Sequence, residues 1–303
     1  MTPTDSLPPE DAVEQVLRGL FAPGDWRPDG LWYRVWMNRL AASTQSERIL
    51  RAGWKLHLSS TPVQLPYLAA KALPCLRSLG FPFKMLRTPS LLERMNDGRL
   101  GLFQVGKAVT VYPPSESSAA EAAALLAAAL RGMDGPHVPT DFRFSENAPV
   151  YFRFGPFDGR FIVDISGQKR RIVLHPELGE IIDDPAMEQH PKPAHLPIRE
   201  PYDHLHFLRD DFRFVRFLQI SAKGATLVAM HRTDADRPLL IKTAKRGTHS
   251  DLLGRDALWG LRREHEFLGR LAGCPGIPSP GELRLDGNEV AALVRPYVEG
   301  RTL

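Results

Sequence analysis

Apolar and polar residues alternate strictly along residues 53–59, which read Gly-Trp-Lys-Leu-His-Leu-Ser. Because successive side chains of a strand point to opposite faces, this alternation predicts a strand whose tryptophan and leucines are buried. Lys55 and His57 then share the other face, which places a cation beside a titratable imidazole. The pair either marks a functional site or belongs to the solvated face of an ordinary amphipathic strand.

The remaining hydrophobic pattern mixes helices with strands. Helical spacing or high helix propensity covers residues 11–21, 61–79, 90–99, 119–130 and 255–272. Strand-like patterns cover residues 82–86, 106–112, 162–182, 212–229 and 238–242, with a loop at 220–226. The mixture predicts an α+β fold. Prolines recur in a polar background over residues 188–202, which is typical of a linker, so we expect two domains, 1–200 and 201–303.

Composition narrows the function classes. The 303 residues accommodate about two domains of ~100 to 200 residues each. The net charge is +4, but no long Lys/Arg run or aromatic-basic interleaving indicates a nucleic-acid partner. No apolar run reaches the ~18 residues of a membrane span, and residues 1–10 lack the apolar core of a signal peptide. Cys75 and Cys274 are far apart, which supports neither a disulfide framework nor a metal site and favours a reducing, cytoplasmic location.

Further cations lie in apolar or glycine-bearing contexts. Lys84 lies within the apolar strand 82–86, where burial would lower its pKa enough to make it a base; alternatively its stem packs and its ammonium reaches water. Lys107 follows a glycine. Arg143 and Arg153 flank a turn and are predicted on two strands of a hairpin, where two guanidinium groups suit one phosphate. For Arg143 the alternative is an ordinary salt bridge with Asp141 or Glu146.

Five motifs occur in a characteristic order: GWKLH, FPFK, GKAVTVYP, GPHVPTDFRF and PVYFRFGPF. Together they resemble the N-terminal phosphoserine/phosphothreonine lyase domain of class III and class IV lanthipeptide synthetases, over roughly residues 26–303. The resemblance implies elimination of phosphate from phosphorylated Ser or Thr of a ribosomally made precursor peptide, without a cofactor or metal. It assigns the base to Lys84, the acid to His57, and the phosphate cradle to Lys55, Lys107, Arg143 and Arg153. Tyr112 either contacts a phosphate oxygen or packs.

The second predicted domain resembles the N-terminal lobe of a protein kinase. Residues 239–242 resemble its third strand and residues 261–268 its helix αC. Lys242 would then pair with Glu264, or with Glu266, and hold the phosphates of ATP. A complete kinase uses ATP and Mg, but the loop 220–226 has a single glycine, and no HRD or DFG motif is present.

Residues 296–303 resemble the kinase hinge, so we expect this chain to be a fragment without kinase activity of its own. Its partners would be the C-terminal kinase lobe and a cyclase domain. Three other functions are compatible with the sequence: a stand-alone effector-type phosphothreonine lyase, a non-catalytic peptide-binding module, and a nucleotide-binding regulator that uses Lys242. Tryptophans at 26, 32 and 36 predict that the N-terminal segment packs onto the lyase core.

Overall fold

The computed structural model describes residues 8–35, 51–157, 159–183, 191–198 and 202–299. Trp36, much of the proline-bearing linker and the expected boundary at residue 200 lie outside these ranges. Within them, helices and antiparallel sheets are mixed, and the predicted α+β class is confirmed. No described helix is long and apolar enough to cross a bilayer.

A seven-stranded sheet forms the first part of the chain. Its strands are β1 (Trp26–Asp29), β2 (Trp32–Val35), β3 (Ala52–Leu58), β4 (Phe83–Leu86), β5 (Val109–Val111), β6 (Phe142–Arg143) and β7 (Val150–Pro156). Their spatial order is β1-β2-β4-β5-β3-β7-β6, and each neighbouring pair is antiparallel.

In the described part of the chain, four helices accompany this sheet: α1 (Ala12–Leu20), α2 (Leu65–Leu79), α3 (Pro89–Asn96) and α4 (Glu116–Ala129). The main hydrophobic core combines their apolar faces with one face of the sheet, including Trp54, Leu56 and Leu58. The predicted burial of the tryptophan and the leucines of β3 is therefore confirmed. Because each strand alternates, the polar partners of these core residues, Lys55 and His57, lie on the opposite face.

Capping residues explain where the helices begin and end. The side chain of Ser115 accepts a hydrogen bond from the backbone of Ser118, so α4 begins three residues before the predicted start at 119. Residues 61–64 form turns, and α2 begins at Leu65 instead of Thr61. Gly80 ends α2 in the left-handed conformation, with φ 74°.

A three-stranded sheet follows: β8 (Phe161–Val163), β9 (Lys169–His175) and β10 (Gly179–Ile182), in the order β10-β9-β8. The predicted strand region 162–182 is thus a meander of three short strands. Strand β9 lies against β7 and β3 of the large sheet. This small sheet is consequently placed beside Lys55 and Arg153.

The last part of the chain forms a five-stranded sheet and one helix. Its elements are β11 (Phe212–Ser221), β12 (Gly224–His231), β13 (Asp234–Lys245), α5 (Ala257–Arg270), β14 (Glu282–Asp286) and β15 (Val290–Pro296). The strand order is β11-β12-β13-β15-β14. Helix α5 packs on one face, and a second apolar cluster covers the other face.

The segment after β13 contacts the large sheet's loops directly. Arg246 forms a 2.6 Å ion pair with Asp134. Gly247 has φ +71°, and a Cβ there would lie 2.6 Å from the backbone nitrogen of Pro136, so only glycine fits this approach. The two sheets therefore meet at close backbone contact.

Candidate active site

One row of side chains crosses the polar face of the large sheet, with one residue from each of six strands. The strand registers align Arg34, Lys84, Thr110, His57, Tyr151 and Arg143 in that order. His57 and Lys84 are two strands apart on the same face, about 10 Å between backbones at the usual strand spacing. Their side chains can therefore reach one ligand, as the proposed acid and base must.

A second row lies two residues further along the same strands. Lys55 is paired with Arg153 in the register. The Nζ of Lys55 lies 5.9 Å from the ring centroid of Tyr112 and 5.9 Å from that of Phe157. Burial and the neighbouring Arg153 lower the pKa of Lys55 well below its usual value. Three of the predicted cradle and site residues, Lys55, Arg153 and Tyr112, thus lie beside the first row.

Tyr112 is held mainly by packing. Its ring meets that of Phe157 edge to face, with centroids 5.3 Å apart. Burial raises the pKa of Tyr112 to about 12. The phenol is consequently protonated at neutral pH and is able to donate a hydrogen bond.

His57 is nearly inaccessible, at 4% exposure, and its Nδ1 hydrogen-bonds the carboxylate of Asp141. Burial of Asp141 opposes its ionisation, but His57 and Lys107 outweigh that effect and hold the pKa of Asp141 far below its usual range. The ionised carboxylate fixes the proton of His57 on Nδ1 and leaves Nε2 for substrate. Burial lowers the pKa of His57 to about 4, so the imidazole is uncharged at neutral pH in the ligand-free protein.

Asp141 is a site residue that the sequence interpretation considered only as a salt-bridge partner of Arg143. No described contact joins those two. Instead, Lys107 lies 3.6 Å from Asp141 and donates to the Thr140 hydroxyl at 2.9 Å, and that hydroxyl donates to Asp141 at 2.7 Å. Lys107, expected in the phosphate cradle, therefore supports Asp141 in this structure. Its motif placed it near the site, but its partners come from a loop more than thirty residues away.

Lys84 lies over an aromatic ring, with its Nζ 4.2 Å from the ring centroid of Trp32. Burial, followed by the charges of Arg34 and Arg171, lowers the pKa of Lys84 to about 8. The direction is the one a general base requires. The sequence interpretation missed both arginines: Arg34 is the register partner of Lys84 on β2, and Arg171 belongs to β9 of the neighbouring sheet.

Arg153 has an internal partner. Its guanidinium lies 2.6 Å from the carboxylate of Asp183, and the two side chains are only 7% and 10% exposed. Asp183 follows β10, and its backbone nitrogen donates to the carbonyl of Arg171. The small sheet thus adds one cation and one anion to the site.

Arg143 stands apart from the other predicted cradle residues. The predicted hairpin is present, with Arg143 paired to Tyr151 across β6 and β7. However, the tyrosine stands between Arg143 and His57 in the row. The arginine carbon Cζ lies 6.0 Å from the Tyr151 ring centroid, and no described contact joins it to Lys55 or Arg153.

A second candidate site lies beside α5. Lys242 of β13 forms an ion pair with Glu264 of α5, whereas Glu266 pairs with Arg263 at 2.8 Å. Lys242 and Glu264 line a cavity of about 510 Å³, together with Lys223 and Trp259. Among the described residues, no group of three His, Cys, Asp or Glu side chains is placed to hold a metal ion.

Residues 22–203 match the protein family described as RamC, N-terminal domain. Because the match covers more than half of the chain, the protein belongs to this family. Over 263 residues it is also 27% identical to a probable SapB synthase from Streptomyces coelicolor (strain ATCC BAA-471 / A3(2) / M145). That similarity covers 83% of this chain and 27% of the curated relative's length. Both findings agree with the lanthipeptide synthetase family that the five motifs resemble.

Proposed function

We propose that the cationic face of the large sheet eliminates phosphate from a phosphorylated Ser or Thr of a precursor peptide. The observation that carries this proposal is the shared row of His57 and Lys84. One is a buried imidazole with a fixed tautomer, and the other is a lysine whose pKa burial lowers to about 8. Cations surround both, as charge development on a departing phosphate requires.

In the proposed reaction, uncharged Lys84 accepts the Cα proton of the phosphorylated residue. The C–H electron pair forms the Cα–Cβ double bond, and the Cβ–O bond breaks with its electrons remaining on phosphate. Protonated His57 donates through Nε2 to the departing oxygen. The products are dehydroalanine or dehydrobutyrine and inorganic phosphate, and the atoms balance without a cofactor.

The charge of His57 couples substrate binding to this chemistry. In the free protein, burial lowers the pKa of His57 to about 4, so the imidazole is not yet protonated at neutral pH. A bound phosphate dianion within hydrogen-bond reach favours the protonated imidazole. Substrate binding would therefore both neutralise the cationic face and supply the proton that the leaving group needs.

A synthetic phosphothreonine peptide tests the proposal, with the product read as loss of phosphoric acid by mass spectrometry. We expect turnover by the natural chain and none by Lys84→Ala or His57→Ala. Lys71→Ala is the matched control, since Lys71 is an exposed lysine of α2. Turnover in either site variant would remove that residue from its role. Tight binding of the peptide without any conversion would favour a non-catalytic peptide-binding module instead.

The Lys242–Glu264 pair and its cavity support a second proposal, a nucleotide site in the five-stranded sheet. Lys242 would hold phosphate oxygens of ATP and Glu264 would orient Lys242. ATP supplies a phosphoryl group when it is bound to a complete kinase. We assign no residue to magnesium. In the whole synthetase this phosphorylation would precede elimination, and a cyclase domain would act afterwards.

A further inference from the structure

The far end of the row lies where the two large sheets meet. Arg143 and Tyr151 form one side, and the ring of His137 stacks on that of Tyr202 with centroids 3.9 Å apart. Lys245, the last residue of β13, forms the other side and acts electrostatically on His137. This cationic-aromatic cluster is separated from His57 by Tyr151 alone.

The cluster holds several polar atoms without hydrogen-bond partners. Arg143 Nε, His137 Nδ1 and His204 Nε2 are each buried and make no hydrogen bond within the described part of the chain. Lys245 forms no ion pair with any described carboxylate, and burial lowers its pKa to about 8. Buried polar groups in native proteins are almost always satisfied. The unpartnered Arg143 Nε beside the cation of Lys245 therefore indicates an anionic ligand.

Acidic side chains near the cluster are already engaged. The charge of Glu289 contributes to the raised pKa values of Tyr151 and Tyr202. Its carboxylate is already paired with Arg246, at 3.5 Å. Asp141 is taken by His57 and Lys107. The cluster therefore retains the charge of Arg143 and Lys245. The tight contact of Gly247 with Pro136 fixes the distance between its sides.

Its distance from His57 sets the spacing of a ligand. Arg143 and His57 are two strands apart in one row, about 10 Å between backbones. An extended peptide advances ~3.3 Å per residue, so three residues cover that distance. A peptide whose phosphorylated residue lies at His57 and which runs along the row presents its third neighbour to Arg143.

We propose that this cluster is a second anion subsite, which binds a carboxylate or phosphate side chain three residues from the reacting residue of the same peptide. The proposal rests on the elimination function above. It also assigns Arg143 a different role from the one its motif predicts. Arg143 would select for the residue at that neighbouring position of the peptide and would not bind the departing phosphate.

The subsite is tested by the binding of fluorescein-labelled phosphonate peptides. In these peptides carbon replaces the ester oxygen, so no elimination occurs. Four peptides carry Glu or Gln at the third residue, either before or after the phosphonate. A fifth carries phosphoserine at whichever of these two positions Glu binds more tightly. Fluorescence anisotropy should show about tenfold tighter binding for an acidic residue on one side. Arg143→Gln and Lys245→Gln should each reduce that preference at least threefold. Arg213→Gln, which changes an exposed arginine of β11, should preserve it.

Two results would overturn the subsite. One is equal affinity for the Glu and Gln peptides on both sides. The other is an Arg143→Gln variant that weakens all peptides equally, which would return Arg143 to the main phosphate site. A difference between the Glu and phosphoserine peptides identifies which anion the subsite prefers. Because phosphonates bind without reacting, loss of elimination in the earlier test leaves this measurement intact.

Discussion

The guanidinium of Arg153 lies 2.6 Å from the carboxylate of Asp183, and neither side chain is more than 10% exposed. A carboxylate bonded to an arginine fork occupies the place that a phosphate would take. Phosphate binding at Arg153 therefore has to displace Asp183 or share the guanidinium with it. The small sheet that carries Asp183 thus influences the affinity of the site.

Asp183→Asn should bind inorganic phosphate about tenfold more tightly than the natural chain, a difference of about 1.4 kcal/mol. Isothermal titration calorimetry measures this affinity. Glu180→Gln is the control, because it removes the same charge from the same sheet at an exposed pair with Arg160. Weaker phosphate binding by Asp183→Asn would mean that the carboxylate assists the ligand instead of competing with it.

The same variant should be less stable without phosphate, since it leaves the Arg153 charge buried without its carboxylate. Breaking such a pair costs about 3 kcal/mol. Added phosphate should restore part of that loss and raise the melting temperature of the variant by more than that of the natural chain. Equal increases would separate Asp183 from the anion site.

Asp141→Asn should lower kcat for elimination by about 10² to 10⁴, the contribution of a well-placed proton donor. The amide no longer fixes the His57 tautomer, and it leaves Lys107 without a counter-charge. Kinetics on the phosphothreonine peptide check this effect, and Asp141→Glu should recover part of kcat. Thr140→Val, which removes the hydroxyl that donates to Asp141 and accepts from Lys107, should have a smaller effect. A loss confined to KM would show that Asp141 acts in binding.

The rate at saturating substrate should rise with pH through the titration of Lys84, because the bound phosphate keeps His57 protonated over this range. Lys84 is the proposed proton acceptor, so its uncharged form would be the active one, and burial places its pKa at about 8. A pH profile of kcat measures this dependence, since kcat reports the enzyme–substrate complex. Trp32→Leu, which replaces the ring over the ammonium by an aliphatic group of a different shape, should shift the rising limb. A profile that falls between pH 7 and 8 would contradict the assignment of Lys84 as base.

Binding of a phosphonate peptide should draw protons from solution at pH 8. His57 is uncharged in the free protein because burial lowers its pKa to about 4, and a dianion beside it raises that pKa. Calorimetry in buffers of different ionisation enthalpy counts the protons. His57→Asn should take up fewer protons than the natural chain. Identical uptake by both would show that His57 does not become the acid.

Glu264→Gln and Lys242→Met should weaken binding of a fluorescent ATP analogue by about tenfold, because the ion pair that orients Lys242 is lost. Glu266→Gln is the matched control, since Glu266 lies two residues away on the same helix and pairs with Arg263. Equal effects of the two glutamate variants would indicate a general loss of helix charge and not a nucleotide site.

Local patterns in the sequence were sufficient for some parts of this site. Alternation in β3 assigns Lys55 and His57 to one face, because the side-chain period of a strand is fixed by its backbone. The resemblance of residues 261–268 to the kinase helix αC gave Glu264 or Glu266 as the partner of Lys242, and the ion pair is with Glu264. Both results depend on residues within a single element or on two elements joined by a short connection.

The parts of the site that the sequence did not predict depend on contacts between residues that are far apart in the chain. Asp141 is 84 positions from His57, and Arg171 and Asp183 reach the site from another sheet. Arg143 is on the expected hairpin, but its distance from Lys84 follows from the order β1-β2-β4-β5-β3-β7-β6. Alternation does not specify which strands become neighbours, so it cannot say which cations share a ligand.

The row from Arg34 to Arg143 takes one residue from each of six strands that are scattered along more than a third of the chain. Such an arrangement exists only after distant segments have paired, which is the slow part of folding for a sheet of this kind. A nascent or partly unfolded chain has no assembled row and cannot carry out the proposed elimination. Ligand protection against proteolysis would accordingly report completion of the entire sheet, and not the formation of any one hairpin.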